Sequence, residues 1–152
     1  TIAGDGPHRL ALEHECDRLR LRGCTEFAGA IARDRVFDLL NAATLLVVPS
    51  RGGAEGLPMV ALEAALMERP VVVTRDGGLP ETVVDGETGF LIESRDRDGL
   101  ARSILRVLDD PELAARLGRA GRVHARDRFD WETQIDNYVG LYEKAVEGYE
   151  QR

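Results

Sequence analysis

The chain has 152 residues, enough for about one domain with a single hydrophobic core. Hydrophobic residues make up 43% of it, and no apolar run approaches the length of a membrane span, which argues against a membrane-embedded protein. A formal charge of −7 leaves no basic stripe to neutralise a polymer of phosphates, so a nucleic-acid partner is excluded, whereas a small anionic ligand needs only local donors.

No signal-peptide pattern is read at Thr1, and the expected location is cytoplasmic. Cys16 and Cys24 lack the spacing of a metal knuckle and are read as free thiols. His8, His14 and His124 are scattered through arginine-rich stretches and are read as surface residues.

From the N-terminus, a strand end at Thr1 leads through a Gly4-x-Gly6 turn into a helix from about Pro7 to Arg22. Two glycines, with Glu26 about 20 residues on, invite a dinucleotide reading. Arg9 stands where the third glycine is needed and Pro7 interrupts the fingerprint, so an oxidoreductase domain is the weaker alternative. Glu26 to Ile31 reads as a short strand and turn, and Ala32 to Asn41 as the next helix. Thr44 to Val48 and Val71 to Val73 are continuous apolar runs, as expected for parallel strands covered on both faces.

Between those strands lies Pro49 to Glu63, Pro-Ser-Arg-Gly-Gly-Ala-Glu-Gly-Leu-Pro-Met-Val-Ala-Leu-Glu. Pro58 is expected to open a helix, where its missing N–H costs nothing. The helix continues through Met67, apolar on every side and so predicted to be buried around most of its circumference. Glu63 is the exception. A carboxylate there either meets a basic partner or faces a polar ligand. It lies on the order of 7 to 8 Å along the axis beyond Pro58, while Glu55 precedes the first turn. The helix start between them, with free N–H groups and a positive dipole end, favours an anion. A ligand with hydroxyls at both ends and phosphate in the middle fits, and a nucleotide sugar is such a molecule. The loops after the two strands leave the same sheet edge, which makes Gly77 and Gly78 expected neighbours of Glu55. Arg51 and Arg75, in the same loops, are candidates to pair with phosphate or with Glu55.

Glu55 and Glu63 with seven residues between them, followed by Arg69-Pro-Val-Val-Val and Gly77-Gly-Leu-Pro-Glu81, resemble the donor half of the family-four retaining glycosyltransferases of GT-B fold. The resemblance implies an α/β fold, a Rossmann-like parallel sheet flanked by helices. It also implies that residues 1–152 are a nucleotide-sugar (donor) binding domain lacking its first strand and helix, with the acceptor domain outside this chain. Glu55 is then the catalytic sugar contact and Glu63 the ribose contact. Gly56, Leu57, Pro58, Met59 and Val60 are implied to line the substrate, with Met59 and Val60 as N–H donors; Pro58, where many members have Gly, cannot donate. Gly77 and Gly78 complete the set, and Ile31 either lies against the base or only staples the following helix.

The implied ligand is a UDP-, GDP- or ADP-sugar, bound without a metal or other cofactor. The implied acceptor is a sugar or lipid, which leaves a place at the inner face of the plasma membrane open. The chain by itself is expected to be inactive. A non-catalytic nucleotide-sugar-binding module is the other alternative.

Further on, Val84 to Gly89 reads as a turn with Gly86 and Gly89 as turn residues, followed by a strand at Phe90 to Ile92. Asp96 to Leu108 is an amphipathic helix, and Asp109-Asp-Pro-Glu112 starts another that runs to about Arg128. Asp130 caps a last helix whose stripe of Trp131, Ile135, Tyr138, Leu141, Tyr142 and Val146 is expected to be partly exposed.

Overall fold

The computed structural model describes residues 1–53 and 56–150, the last by its backbone alone. They form two compact units, Thr1–Leu39 and Leu40–Arg152. The first holds a parallel pair, β1 (Ile2–Ala3) and β2 (Phe27–Gly29), around helix α1 (Arg9–Arg18) and a short 3-10 turn at Arg22–Cys24. Helix α2 (Arg33–Ala42) begins in it.

α1 stops four residues short of the predicted Arg22. Arg20 takes a left-handed conformation, φ 58°. The Arg20 N–H then reaches the Asp17 carbonyl at 3.0 Å and the Leu21 N–H the Cys16 carbonyl at 2.9 Å. That pair of bonds satisfies carbonyls that the helix end would otherwise leave open, and glycine is the usual residue at its centre. α1 therefore terminates without the glycine signal that sequence reasoning looks for. Cys16 is buried and Cys24 exposed, both as free thiols.

The second unit is built on a three-stranded parallel sheet in the order β3-β4-β5, with β3 at Leu46–Val48, β4 at Val71–Thr74 and β5 at Gly89–Ile92. β3 and β4 pair in register, Leu46 opposite Val71 and Val48 opposite Val73, and α3 (Met59–Leu66) connects them. The predicted β-α-β unit is present.

Only β4 is covered as the apolar runs suggested. Val71, Val72 and Val73 are buried, whereas all three residues of β3 are half-buried, because β3 is an edge strand of this sheet. Gly89 is not a turn residue but the first of β5. A Cβ there would stand 2.1 Å from the Val71 carbonyl oxygen, so the close pairing of β4 and β5 demands glycine. Gly86, at φ 75°, is the turn residue.

A short helix, α4 (Leu79–Thr82), follows β4, and three longer ones follow β5: α5 (Arg97–Asp109), α6 (Pro111–Phe129) and α7 (Trp131–Glu150). Their starts were legible. The Asp96 carboxylate accepts the Gly99 N–H at 2.8 Å, and Asp110 accepts the Leu113 N–H at 2.9 Å, with Pro111 at the first helical position. Asp130 accepts the Glu132 N–H at 3.1 Å.

One core lies between the sheet and the α5–α6 pair, where Val72, Phe90, Val107, Leu113 and Leu117 meet. Another cluster, Leu62, Ala65 and Ala125 with Phe129 against it, joins α3 to α6. Small residues allow that contact. A Cβ on Gly118 would come within 2.1 Å of the Glu68 carbonyl oxygen, and one on Gly121 would meet Ala65 at 3.6 Å. Glu68 is itself left-handed, φ 59°, and closes α3 through the same paired bonds as Arg20 closes α1. The packing thus fixes α3 against α6, and with it the helix start that faces the loops.

Candidate functional site

The site is the carboxyl edge of β3 and β4, where the loop at 49–58 and the loop at 74–78 leave the sheet. Among the described residues these loops are tied together at three places. The Thr74 hydroxyl donates to the Ser50 carbonyl at 2.6 Å. The Asp76 carboxylate accepts the N–H groups of Gly52 and Gly53, each at 2.7 Å. The Gly78 N–H donates to the Gly56 carbonyl at 3.2 Å.

Asp76 was missed by sequence reasoning. Its partners are backbone groups more than twenty residues away, held at φ 107° and 69°, which only glycine adopts without strain. The doubled glycine after Arg51 was the available signal, because backbone N–H groups in such a turn form a small anion-binding concavity. In this chain the anion is the protein's own carboxylate.

Gly77 and Gly78 play different parts. Gly77 has positive φ, 50°, as the turn reading requires. Gly78 has an ordinary φ of −83°, and is needed for space: a Cβ would stand 2.4 Å from the Gly56 carbonyl oxygen. The expected meeting of the two loops is therefore observed between Gly78 and Gly56. Glu55, the predicted catalytic residue, lies outside the described residues.

Pro58 is the N-cap residue rather than the first helical one, with φ −76° and ψ 102°, and its side chain is buried. The Ala61 N–H bonds to its carbonyl at 3.0 Å. Met59 and Val60 are consequently the first two helical residues, whose N–H groups have no acceptor within an α-helix.

α3 is covered on most of its circumference, as expected, and open along one stripe. Ala61, Leu62, Ala64 and Ala65 are buried, but Met59 and Leu66 are 56% and 44% exposed, and Glu63 between them is half-buried. Those three residues follow one another at helical spacing, so α3 has an outward stripe with the carboxylate at its centre. Glu63 is not sealed into the core.

Leu57 is 42% exposed beside this stripe. Ile31 belongs to the first unit, in the half-buried turn before α2. Arg75 does not offer itself to a phosphate: its guanidinium pairs with Glu93 at 2.8 Å. Arg51 lines a groove of about 560 Å³ together with Ser50, Thr74, Arg95 and Arg97. Another cavity, of about 460 Å³, opens at the opposite edge of the sheet near Asn41, Arg69, Pro70 and Arg119. Neither is lined by Gly56 to Val60, Glu63, Gly77 or Gly78. Among the described residues no cluster of His, Cys, Asp and Glu suited to a metal ion occurs, and no helix is long and apolar enough to cross a membrane.

Known proteins are similar to this chain over most of its length. Glycogen synthase of Mycobacterium tuberculosis is 38% identical over 151 residues, covering 99% of this chain and 36% of that protein. D-inositol 3-phosphate glycosyltransferase of Streptomyces avermitilis is 36% identical over 135 residues, 89% of this chain and 28% of the relative. The chain thus spans about a third of the length of the curated relatives it matches.

Among solved structures, sucrose-phosphate synthase of Thermosynechococcus elongatus superposes with a TM-score of 0.79 at 32% identity, over 95% of this chain and 37% of the other. Anabaena HepE in complex with UDP gives 0.80 at 28% identity, over 91% and 40%. No support exists for the dinucleotide-binding oxidoreductase alternative; the α/β fold with parallel strands flanked by helices is that of the GT-B carboxyl-terminal domain. The family profile of the glycosyl transferases group 1 matches residues 1–124, and the chain belongs to that family.

Proposed function

We propose that this chain binds the nucleoside-diphosphate sugar in a retaining glycosyltransferase, with the sugar passing to a sugar or lipid acceptor held elsewhere in the enzyme. The observation that carries the reading is the start of α3. Two N–H groups without helical acceptors, Met59 and Val60, open a helix whose next outward residue is Glu63, at a carboxyl edge where Gly56 and Gly78 touch.

In this reading the diphosphate lies at the helix start, where N–H groups and the dipole meet its charge. Glu63 accepts hydrogen bonds from the ribose hydroxyls, and Glu55 holds the hydroxyls of the transferred sugar. Leu57 and Pro58 shape the apolar side of that site, and Gly77 and Gly78 let the ligand approach the backbone. Stabilisation of the departing diphosphate is the main catalytic device, and arginines and N–H groups supply it without a divalent ion. Ile31 is the residue proposed to meet the base. The proposed location is cytoplasmic, with the membrane's inner face as the site of action for a lipid acceptor. The neighbour solved with UDP makes a uracil nucleotide the first to try.

A thermal-shift screen of the chain against UDP, GDP, ADP and NADH tests this directly. One nucleoside diphosphate at a hundredfold excess over its Kd is expected to stabilise the fold by about 2.7 kcal/mol, seen as a raised midpoint, while NADH leaves it in place. A flat response to all three diphosphates would remove the reading.

A further inference from the structure

We propose that the arginine-lined groove beside the start of α5 is a second anion subsite, built for a phosphate monoester carried by a molecule other than the nucleotide. Its volume, about 560 Å³, suits a small ligand. Three arginines, Arg51, Arg95 and Arg97, line it. Among the described residues none of the three has a carboxylate within ion-pair distance.

Three acids near the groove, Asp76, Glu93 and Asp96, are engaged elsewhere, and Asp98, next to Arg97 in the sequence, does not line it. Asp76 holds the N–H groups of Gly52 and Gly53, and Glu93 is paired with Arg75 at 2.8 Å. Asp96, which also lines the groove, accepts the Gly99 N–H at 2.8 Å and stands 4.0 Å from Arg102. In a chain of net charge −7 this is a local surplus of positive charge. Guanidinium is the side-chain group best matched to phosphate oxygens, through its fixed fork of N–H donors.

The rim is a built turn rather than a loose loop. The Asp96 N–H bonds to the Glu93 carbonyl and the Arg97 N–H to the Arg95 carbonyl, both at 3.0 Å. Arg95 is held at φ 79°, a conformation uncommon for a residue with a side chain. The turn thereby brings two arginines to one rim, and Arg51 comes to the groove from the β3 loop. None of the donor residues on α3 or in the Gly77-Gly78 turn lines this groove, which lies at the same carboxyl edge but on the side of the turn between β5 and α5. A phosphate monoester, with two charges and three acceptor oxygens, matches three arginines, and the remaining volume takes its carrier. The groove stands without the glycosyl-transfer reading; assigning the phosphate to the acceptor, the rest of which is held elsewhere in the enzyme, rests on that reading.

The test is calorimetric titration of the chain, in low-salt buffer free of phosphate, with inorganic phosphate, glucose 6-phosphate and UDP in turn. The variants are the double substitution Arg95→Gln with Arg97→Gln, the single Arg51→Gln, and Glu63→Ala, each checked for native circular dichroism. The double variant is expected to bind phosphate about tenfold or more weakly while its UDP affinity stays within about twofold of the parent. Glu63→Ala is expected to do the reverse. Glucose 6-phosphate binding about tenfold tighter than inorganic phosphate supports the acceptor assignment, and equal affinities overturn it. The subsite itself is overturned if the parent binds no phosphate, if the double variant binds it equally well, or if UDP affinity falls in step with phosphate. A parent that binds phosphate but not UDP contradicts the nucleotide reading instead.

Discussion

α3 and α7 are both helices rich in apolar residues, yet they end in opposite environments. α3 buries Ala61, Leu62, Ala64 and Ala65 against α6, where Gly118 and Gly121 let the two elements close to backbone contact. α7 leaves Trp131 76% and Tyr142 72% exposed, and Ile135, Leu141 and Val146 lie open with them. Residue size separates the two cases. Alanine and glycine permit a helix to dock flush on its neighbour, whereas a row of aromatic rings needs a surface shaped to receive it. The consequence for function is that α3 has its inner face locked, so that its first turn and Glu63 are held in fixed positions.

The contrast can be broken first at Gly118. Gly118→Val places a side chain where the Glu68 carbonyl lies, and no rotamer avoids the backbone. Destabilisation of about 3 kcal/mol or more is expected in chemical denaturation. A near-neutral result would mean that α6 is not seated on the end of α3.

Smaller is the effect expected of Asp76→Ala, which frees two backbone N–H groups and unties the loop ahead of α3 from the loop after β4. About 1–2 kcal/mol of stability should be lost, with Asp76→Asn recovering part of it because one amide oxygen still accepts. Faster amide exchange at Gly52 and Gly53 should report the same break. Least of all is expected from Tyr142→Ala on α7, within about 0.5 kcal/mol of the parent chain. If that substitution proved as costly as the one at Gly118, the exposed stripe would already be packed in solution and the contrast would fail.

The same contrast explains what could be read in advance. Helix starts were legible at Asp96, Asp110 and Asp130, because a cap is a local event and one side chain satisfies an N–H two or three residues on. The β3-α3-β4 unit was legible because two valine-rich runs bracket a helix of ordinary length. What escaped was set by distant backbone. The left-handed Arg20 and Glu68 end helices without glycine, so the predicted end of α1 overshot. Gly89 was read as a turn residue and Gly118 drew no reading, since their need for space comes from Val71 and Glu68, which only the fold brings near. Met59 and Leu66 of the exposed stripe on α3 were hidden too, since a helix apolar on every side but Glu63 gives no sign of which apolar residues are uncovered. Asp76 escaped for the same reason, its partners being N–H groups that no pattern of side chains announces.

For the donor site, the resemblance supplied Glu55 and Glu63 as a pair, and the residues alone supplied the physical reason to believe in it. The structure places Glu63 on the outward stripe and brings Gly78 to Gly56, which are the two features a ligand lying across the start of α3 requires.

The measurement that bears most directly on this is calorimetric titration of UDP into the parent chain and into Glu63→Ala, with UDP-glucose titrated into Glu55→Ala beside it. Glu63→Ala is expected to lose about 1–3 kcal/mol of nucleotide affinity through its charged hydrogen bonds, and Glu55→Ala to keep UDP binding while losing affinity for the sugar nucleotide. UDP affinity unchanged by removal of the Glu63 carboxylate would contradict the assignment of the ribose to α3.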